Sequence, residues 1–145
     1  MAANNLPIYT KRWDITTDWT TWMAPTLTTA TGDYTGVSAN HKLVHTAGAD
    51  GSMPRYLLFN AIWTNTASVA RIYFNNGSTN GTATNNELVG QLSLPATTAT
   101  NTASTQMPVF QFAEWTILPA WFKIYVGLGT TVASGWVCTC IAWQY

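Results

Sequence analysis

Apolar and polar positions alternate over short runs along most of the chain, and residues that favour turns divide the runs. In Ser68-Val-Ala-Arg-Ile-Tyr-Phe74, Ala70, Ile72 and Phe74 fall on one face and Val69, Arg71 and Tyr73 on the other, the period of two that a strand imposes. Asn75-Asn-Gly-Ser78 ends that run with residues that tolerate positive φ. Lys42–Thr46 is a second strand, followed by the turn pair Asp50-Gly51. Further strands are predicted over Arg55–Trp63, Glu87–Leu94 (stopped by Pro95), Met107–Ile117, Phe122–Val126 and Trp136–Trp143. Pro108 assigns the Met107–Ile117 run to a sheet edge, because proline cannot donate to a ladder. Ala96–Gln106 reads as a long loop, and Gly127, Gly129 and Gly135 mark the turn between the closing strands. Short strands at roughly ten-residue spacing, with no helical period, predict an all-β fold, an antiparallel β-sandwich. A jelly-roll topology is compatible with this spacing but not fixed by it. The alternation nominates Ile72, Phe74, Leu92, Leu94, Ile124 and Val126 as core.

Residues 1–36 have a different character. Lys11, Arg12, Asp14 and Asp18 cluster beside Trp13, Trp19 and Trp22, and Thr26–Thr31 is low in complexity. Threonine at that density disfavours helix. The segment reads as an extended N-terminal arm or edge segment, 1–36, preceding a β-sandwich domain, 37–145. Large rings are costly to leave in water. The arm therefore packs on its own sandwich or on a neighbour, and in the second case Trp13, Trp19 and Trp22 are its anchors and Arg12 and Asp14 its orienting charges.

Composition narrows the partners. Of 145 residues only 8% are charged and the formal net charge is zero, so there is no basic surplus to neutralise phosphates, and nucleic acid is excluded as a partner. No run approaches the ~18 apolar residues of a transmembrane helix, and Met1–Thr10 lacks the features of a secretory signal. Eight Trp, six Tyr and five Phe exclude a disordered chain. A surface with so little charge repels its copies weakly, which favours association. Two readings of the tryptophans stay open: a Trp-rich core, or rings directed at other subunits. Cys138 and Cys140 stand two apart, on one strand face, where a bond between them would distort the strand. They read as reduced, buried fillers in a protein made in a reducing cytoplasm.

Enzyme signatures are sparse. Asp14, Asp18, Asp33, Asp50, Glu87 and Glu114 form no close pair in sequence, and neither a Gly-x-Ser-x-Gly elbow nor a phosphate-binding loop occurs. His41 and His45 could share a face with Asp50 as a metal site; the other reading has both histidines solvated or bonded to carbonyls. The reading adopted is a protein with no catalytic residues, no metal and no cofactor. Exposed aromatics with Asn, Asp and Thr would also suit a glycan.

Several blocks together carry a resemblance: Ala49–Ser52, Thr64–Ser78, Asn85–Thr98, Leu118-Pro-Ala120 and Val126–Trp136. They resemble small virion-associated proteins of tailed double-stranded DNA phages and prophages, over about residues 42–145. In that pattern Leu-Pro-Ala is followed by Gly, whereas here Trp121 follows, which suggests a local rearrangement or an added contact surface. The resemblance implies a virion part and does not choose among capsid cement, tail component and fibre domain. Together with the neutral charge, the surplus of tryptophan and the distinct arm, the reading favoured is a capsid cement or decoration protein on the outer shell, a homotrimer whose partner is the major capsid protein. The alternative it leaves open is a tail fibre, baseplate or glycan-binding host-recognition domain. The interface residues expected are Arg12, Trp13, Asp14, Trp19, Trp22 and Trp121.

Overall fold

A computed structural model of the protein describes residues 12–16, as strand alone, and residues 24–145. Nine strands run in order: β1 (Arg12–Thr16), β2 (Thr26–Leu27), β3 (Lys42–Thr46), β4 (Ser52–Ala61), β5 (Ser68–Asn75), β6 (Asn86–Leu94), β7 (Val109–Gln111), β8 (Lys123–Leu128) and β9 (Trp136–Gln144). One 3₁₀ turn, Ala83–Asn85, precedes β6. The strands form two antiparallel sheets, ordered β1-β9-β4-β7, with the short β2 also on β9, and β3-β8-β5-β6. The all-β sandwich is the expected class. In the described parts of residues 1–36, β1 and β2 both pair with β9.

β9 shows how the sequence builds the core. Trp136, Cys138, Cys140 and Ala142 are buried and the residues between them half-buried, a strict period of two on a central strand. The cysteines are free thiols packed among Leu57, Phe59 and Ile72 in one hydrophobic cluster, as the filler reading expected. Burial pushes the Cys138 thiol well up, so it stays protonated and inert.

β4 is less regular. Its pairing with β9 shifts between Pro54 and Tyr56, and the buried positions change parity there, from Ser52 and Pro54 to Leu57 and Phe59. Pro54 is tolerated inside a central strand because it sits at this irregularity and lies outside the β7 pairing, which covers Tyr56–Leu58.

Four of the six nominated core residues, Ile72, Leu94, Ile124 and Val126, are buried at 1% exposure or less. Phe74 and Leu92 are half-buried instead. Phe74 lies on β5 and Leu92 on the edge strand β6, and phenylalanines pack beside them. The Phe74 ring stacks on Phe112 at 5.8 Å, and Phe110 meets Phe112 edge-on at 5.2 Å. Phe110 also covers Gly90, where a side chain would collide with the ring. The predicted strand Met107–Ile117 contracts to Val109–Gln111. It is an edge strand, as Pro108 implied, and beyond Phe112 the backbone turns rather than extends.

Tyr73, on the face opposite Ile72, is nevertheless buried. An irregular strap over residues 31–41 covers it. Arg71 Nη1 donates to the Asp33 carbonyl at 2.9 Å, and its guanidinium lies 3.9 Å from the Tyr34 ring centre. The His41 ring meets Tyr73 edge-on at 4.8 Å. A Cβ on Gly127 would stand 2.7 Å from His41 Nε2, so glycine is what lets the strap lie flat on β8.

Candidate functional site

His41 and His45 do not converge. Among the described residues, no group of three His, Cys, Asp or Glu could hold a metal. His41 Nδ1 lies 3.0 Å from the Ser38 carbonyl, which only accepts, so Nδ1 carries the proton. Its Nε2 is buried without a hydrogen-bond partner. Protonation there would bury an unpaired N–H, and burial lowers the His41 pKa from 6.5. The sign follows directly. Below pH 6.5 the unfolded chain takes up the proton before the folded one, so this contribution to stability is complete above that pH and lost as pH falls toward the folded value. Urea midpoints are expected to decline from pH 7 to 5, and to decline less steeply in His41→Gln.

His45 Nε2 lies 2.7 Å from Ser52 Oγ, the geometry of a nucleophile and its base. Both residues are sealed, at 1% and 0% exposure, and Ser52 is held in backbone pairing with Leu118. A buried hydroxyl of this kind offers no approach to a substrate, and the pair ties β3 to the start of β4.

What reaches solvent is aromatic. Among tryptophans with described side chains, Trp136 is buried, whereas Trp63, Trp115 and Trp121 are 61%, 78% and 61% exposed. These three rings face outward rather than into the core. They occupy opposite ends of the sandwich.

At one end, Ile62 and Trp63 follow β4. Asn65, 3% exposed, fixes this corner. Its Nδ2 donates to the carbonyls of Trp63 and Gly135 at 3.2 and 3.0 Å, and its Oδ1 accepts from the N–H groups of Ser134 and Gly135 at 2.9 and 2.8 Å. Thr97 Oγ1 adds a bond to the Trp63 carbonyl at 2.9 Å. Ile62 N–H donates to Gly135 O at 3.1 Å. Gly135 also abuts Thr26, Leu27 and Thr28, so the N-terminal segment meets the sandwich beside this pair.

At the other end lies the β7–β8 connection. Thr116 N–H donates to the Ala113 carbonyl at 3.1 Å, and Phe122 N–H to the Pro119 carbonyl at 3.2 Å. Each bond closes a four-residue turn, and the third residue is Trp115 in one and Trp121 in the other, both with φ of 67°. That is the type II signature, which asks for Gly or Asn at this position. A bulky residue there is an outlier in backbone space. They are the two non-glycine residues with positive φ among those described. Leu118, between them, is buried and anchors the loop, while Ile117 is 60% exposed. At Trp121, then, the backbone keeps a conformation suited to glycine while carrying an indole.

Of the expected interface residues, Trp121 is placed on this exposed loop. Arg12, Trp13 and Asp14 lie on β1, paired with Gln144, Trp143 and Ala142; Trp19 and Trp22 lie outside the described residues. Sequence reasoning missed Trp115, Ile117, Ile62 and Trp63, because all four fell within predicted strands. No helix among the described residues is long and apolar enough to cross a membrane. Compared with protein-family models, curated proteins and solved structures, the chain matches none.

Proposed function

We propose that this chain is a structural protein of a phage virion, a cement or decoration protein that acts as a homotrimer and bridges major capsid protein subunits on the outer shell. The virion part rests on the likeness of residues 42–145 to small phage virion proteins. The strand order, β1-β9-β4-β7 facing β3-β8-β5-β6, supports reading the sandwich as a jelly roll, an architecture used by viral capsid and lectin domains. A fold does not assign a function, so docking has to be argued from surfaces.

The observation that carries the docking is the exposed Ile62–Trp63 pair on a corner rigidly held by Asn65 and Thr97. A preorganised aromatic anchor loses little conformational entropy on binding. Thr26–Thr28 of the N-terminal segment meet the sandwich beside this corner, whereas Arg12, Trp13 and Asp14 on β1 pair at the far end of β9. One copy offers a small surface, but a symmetric trimer sets three such corners on neighbouring shell subunits, and their attachments reinforce one another. Trp63→Ser combined with Ile62→Ser is expected to leave a folded protein that no longer decorates particles. In wild-type particles the copy number should match the local threefold points of the shell. A few copies confined to the tail, seen by cryo-EM, would overturn the reading.

A further inference from the structure

We propose that the two tryptophan turns, Ala113–Thr116 and Pro119–Phe122, form a carbohydrate-binding platform in which the Trp115 and Trp121 indoles stack on the faces of sugar rings. The first argument is strain. Each indole sits at a backbone position suited to glycine, and each is largely in water, so neither the turn nor the core gains from it. Outliers of this kind mark sites where something other than folding selects the residue.

The second argument is size. Two indoles at 78% and 61% exposure, with Ile117 at 60%, present roughly 300–400 Å² of apolar surface. A stable interface between copies needs about 800 Å² from each partner. A little over half of such an interface is apolar, so the platform alone falls somewhat short of one, and its size matches one or two pyranose rings.

The third is the chemistry beside the rings. The Asn75–Ser78 turn packs on Trp121: a Cβ on Gly77 would stand 3.0 Å from the Trp121 carbonyl oxygen. This places neutral amides and hydroxyls next to the Trp121 turn. Asn76 Nδ2 donates to Asn85 Oδ1 at 3.1 Å, and Asn85 Nδ2 donates to the Thr79 carbonyl at 2.9 Å, which holds the rim in place. Lys123 Nζ donates to the Ser78 carbonyl at 3.3 Å. Among residues with described side chains, the charges at this end are Asp50, Glu87 and Glu114 against Arg55 and Lys123, with no basic excess. An anionic lipid surface or a polyanion would need a basic excess. A ligand with flat C–H faces and many neutral hydroxyls satisfies both the rings and the rim.

The platform lies at the end of the sandwich opposite Ile62 and Trp63, so it stays accessible with that corner docked, and its test is independent of any particle. The full chain is titrated with chitohexaose, cellohexaose and maltohexaose, and the tryptophan indole N–H resonances are followed by NMR. At least one hexasaccharide is expected to shift the Trp115 and Trp121 resonances saturably. Trp115→Asn and Trp121→Asn, which suit a positive φ, should each weaken binding about tenfold with no loss of melting temperature, whereas Trp63→Ser should bind as wild type. The proposal is overturned if none of the three sugars shifts either resonance at ~10 mM, far above any useful affinity. Equal loss in Trp63→Ser would also overturn it. So would concentration-dependent dimerisation that both Asn variants abolish, which would assign the surface to a second copy.

Discussion

Asn65→Ala is expected to lower the melting temperature by roughly 6–12 °C, which corresponds to about 3 kcal/mol in a domain of this size. The Asn65 side chain makes four hydrogen bonds from a site that is 3% exposed. Truncation strands the N–H groups of Ser134 and Gly135, which both lie on the turn that leads into β9. A buried donor left without an acceptor costs about 1–3 kcal/mol, and two are affected. The carbonyls fare better: Gly135 O still accepts from Ile62 N–H and Trp63 O from Thr97 Oγ1. Asn65→Asp sharpens the test. It keeps the oxygen that accepts from Ser134 and Gly135, but sets a carboxylate against the Trp63 and Gly135 carbonyls. It should be at least as destabilised at pH 7 and recover in part as the carboxyl is protonated. Scanning calorimetry on the two variants checks both. An unchanged transition in Asn65→Ala would mean that the corner, and with it the rigid presentation of Trp63, does not depend on this side chain.

The second large effect has the opposite sign. Trp115→Gly and Trp121→Gly should each stabilise the protein. Holding a bulky residue in the left-handed region costs about 1–3 kcal/mol, and glycine returns about 0.5–1 kcal/mol of that through its freer unfolded chain. The net gain is about 1 kcal/mol per site and about 2 kcal/mol for the pair if the turns are independent. Urea midpoints should rise with an unchanged slope. A fall would show that the indoles pack against the domain and stabilise it. Mutations that raise stability by removing surface side chains mark positions where function opposes stability.

Legibility in the sequence followed the physics of each element. β9 was plain because its small and large apolar residues keep an unbroken period of two against a core on one side. β4 hid its change of parity, since an irregularity near Arg55 leaves no mark where the residues that follow, Tyr56–Phe59, are apolar on both faces. Phe74 and Leu92 obeyed the alternation, yet each is half-buried while Ile72 and Leu94 on the same strands are sealed, a difference along the strand that the period does not encode. Tyr73 was legible as the other face but not as covered, because its cover is a strap with no period at all. At the site, Trp121 drew notice because it follows Leu118-Pro-Ala in place of a glycine. Trp115 was concealed in what read as a strand, since nothing in Ala113-Glu-Trp-Thr116 announces a turn.

Pairing β1 with β9, Arg12 opposite Gln144, also sets a timetable for synthesis. The sheet β3-β8-β5-β6 can assemble once Leu128 has left the ribosome. The other sheet cannot, because β9 is the strand to which β1, β2 and β4 all pair. Until the last strand emerges, the nascent chain carries β4 with an open edge and an apolar face, a state prone to aggregation. Closing a ladder between residues as distant in sequence as Arg12 and Gln144 is slow. Completion of this sheet therefore waits for β9, and chaperones have a defined interval, between the release of β8 and the docking of β9, in which to hold the chain.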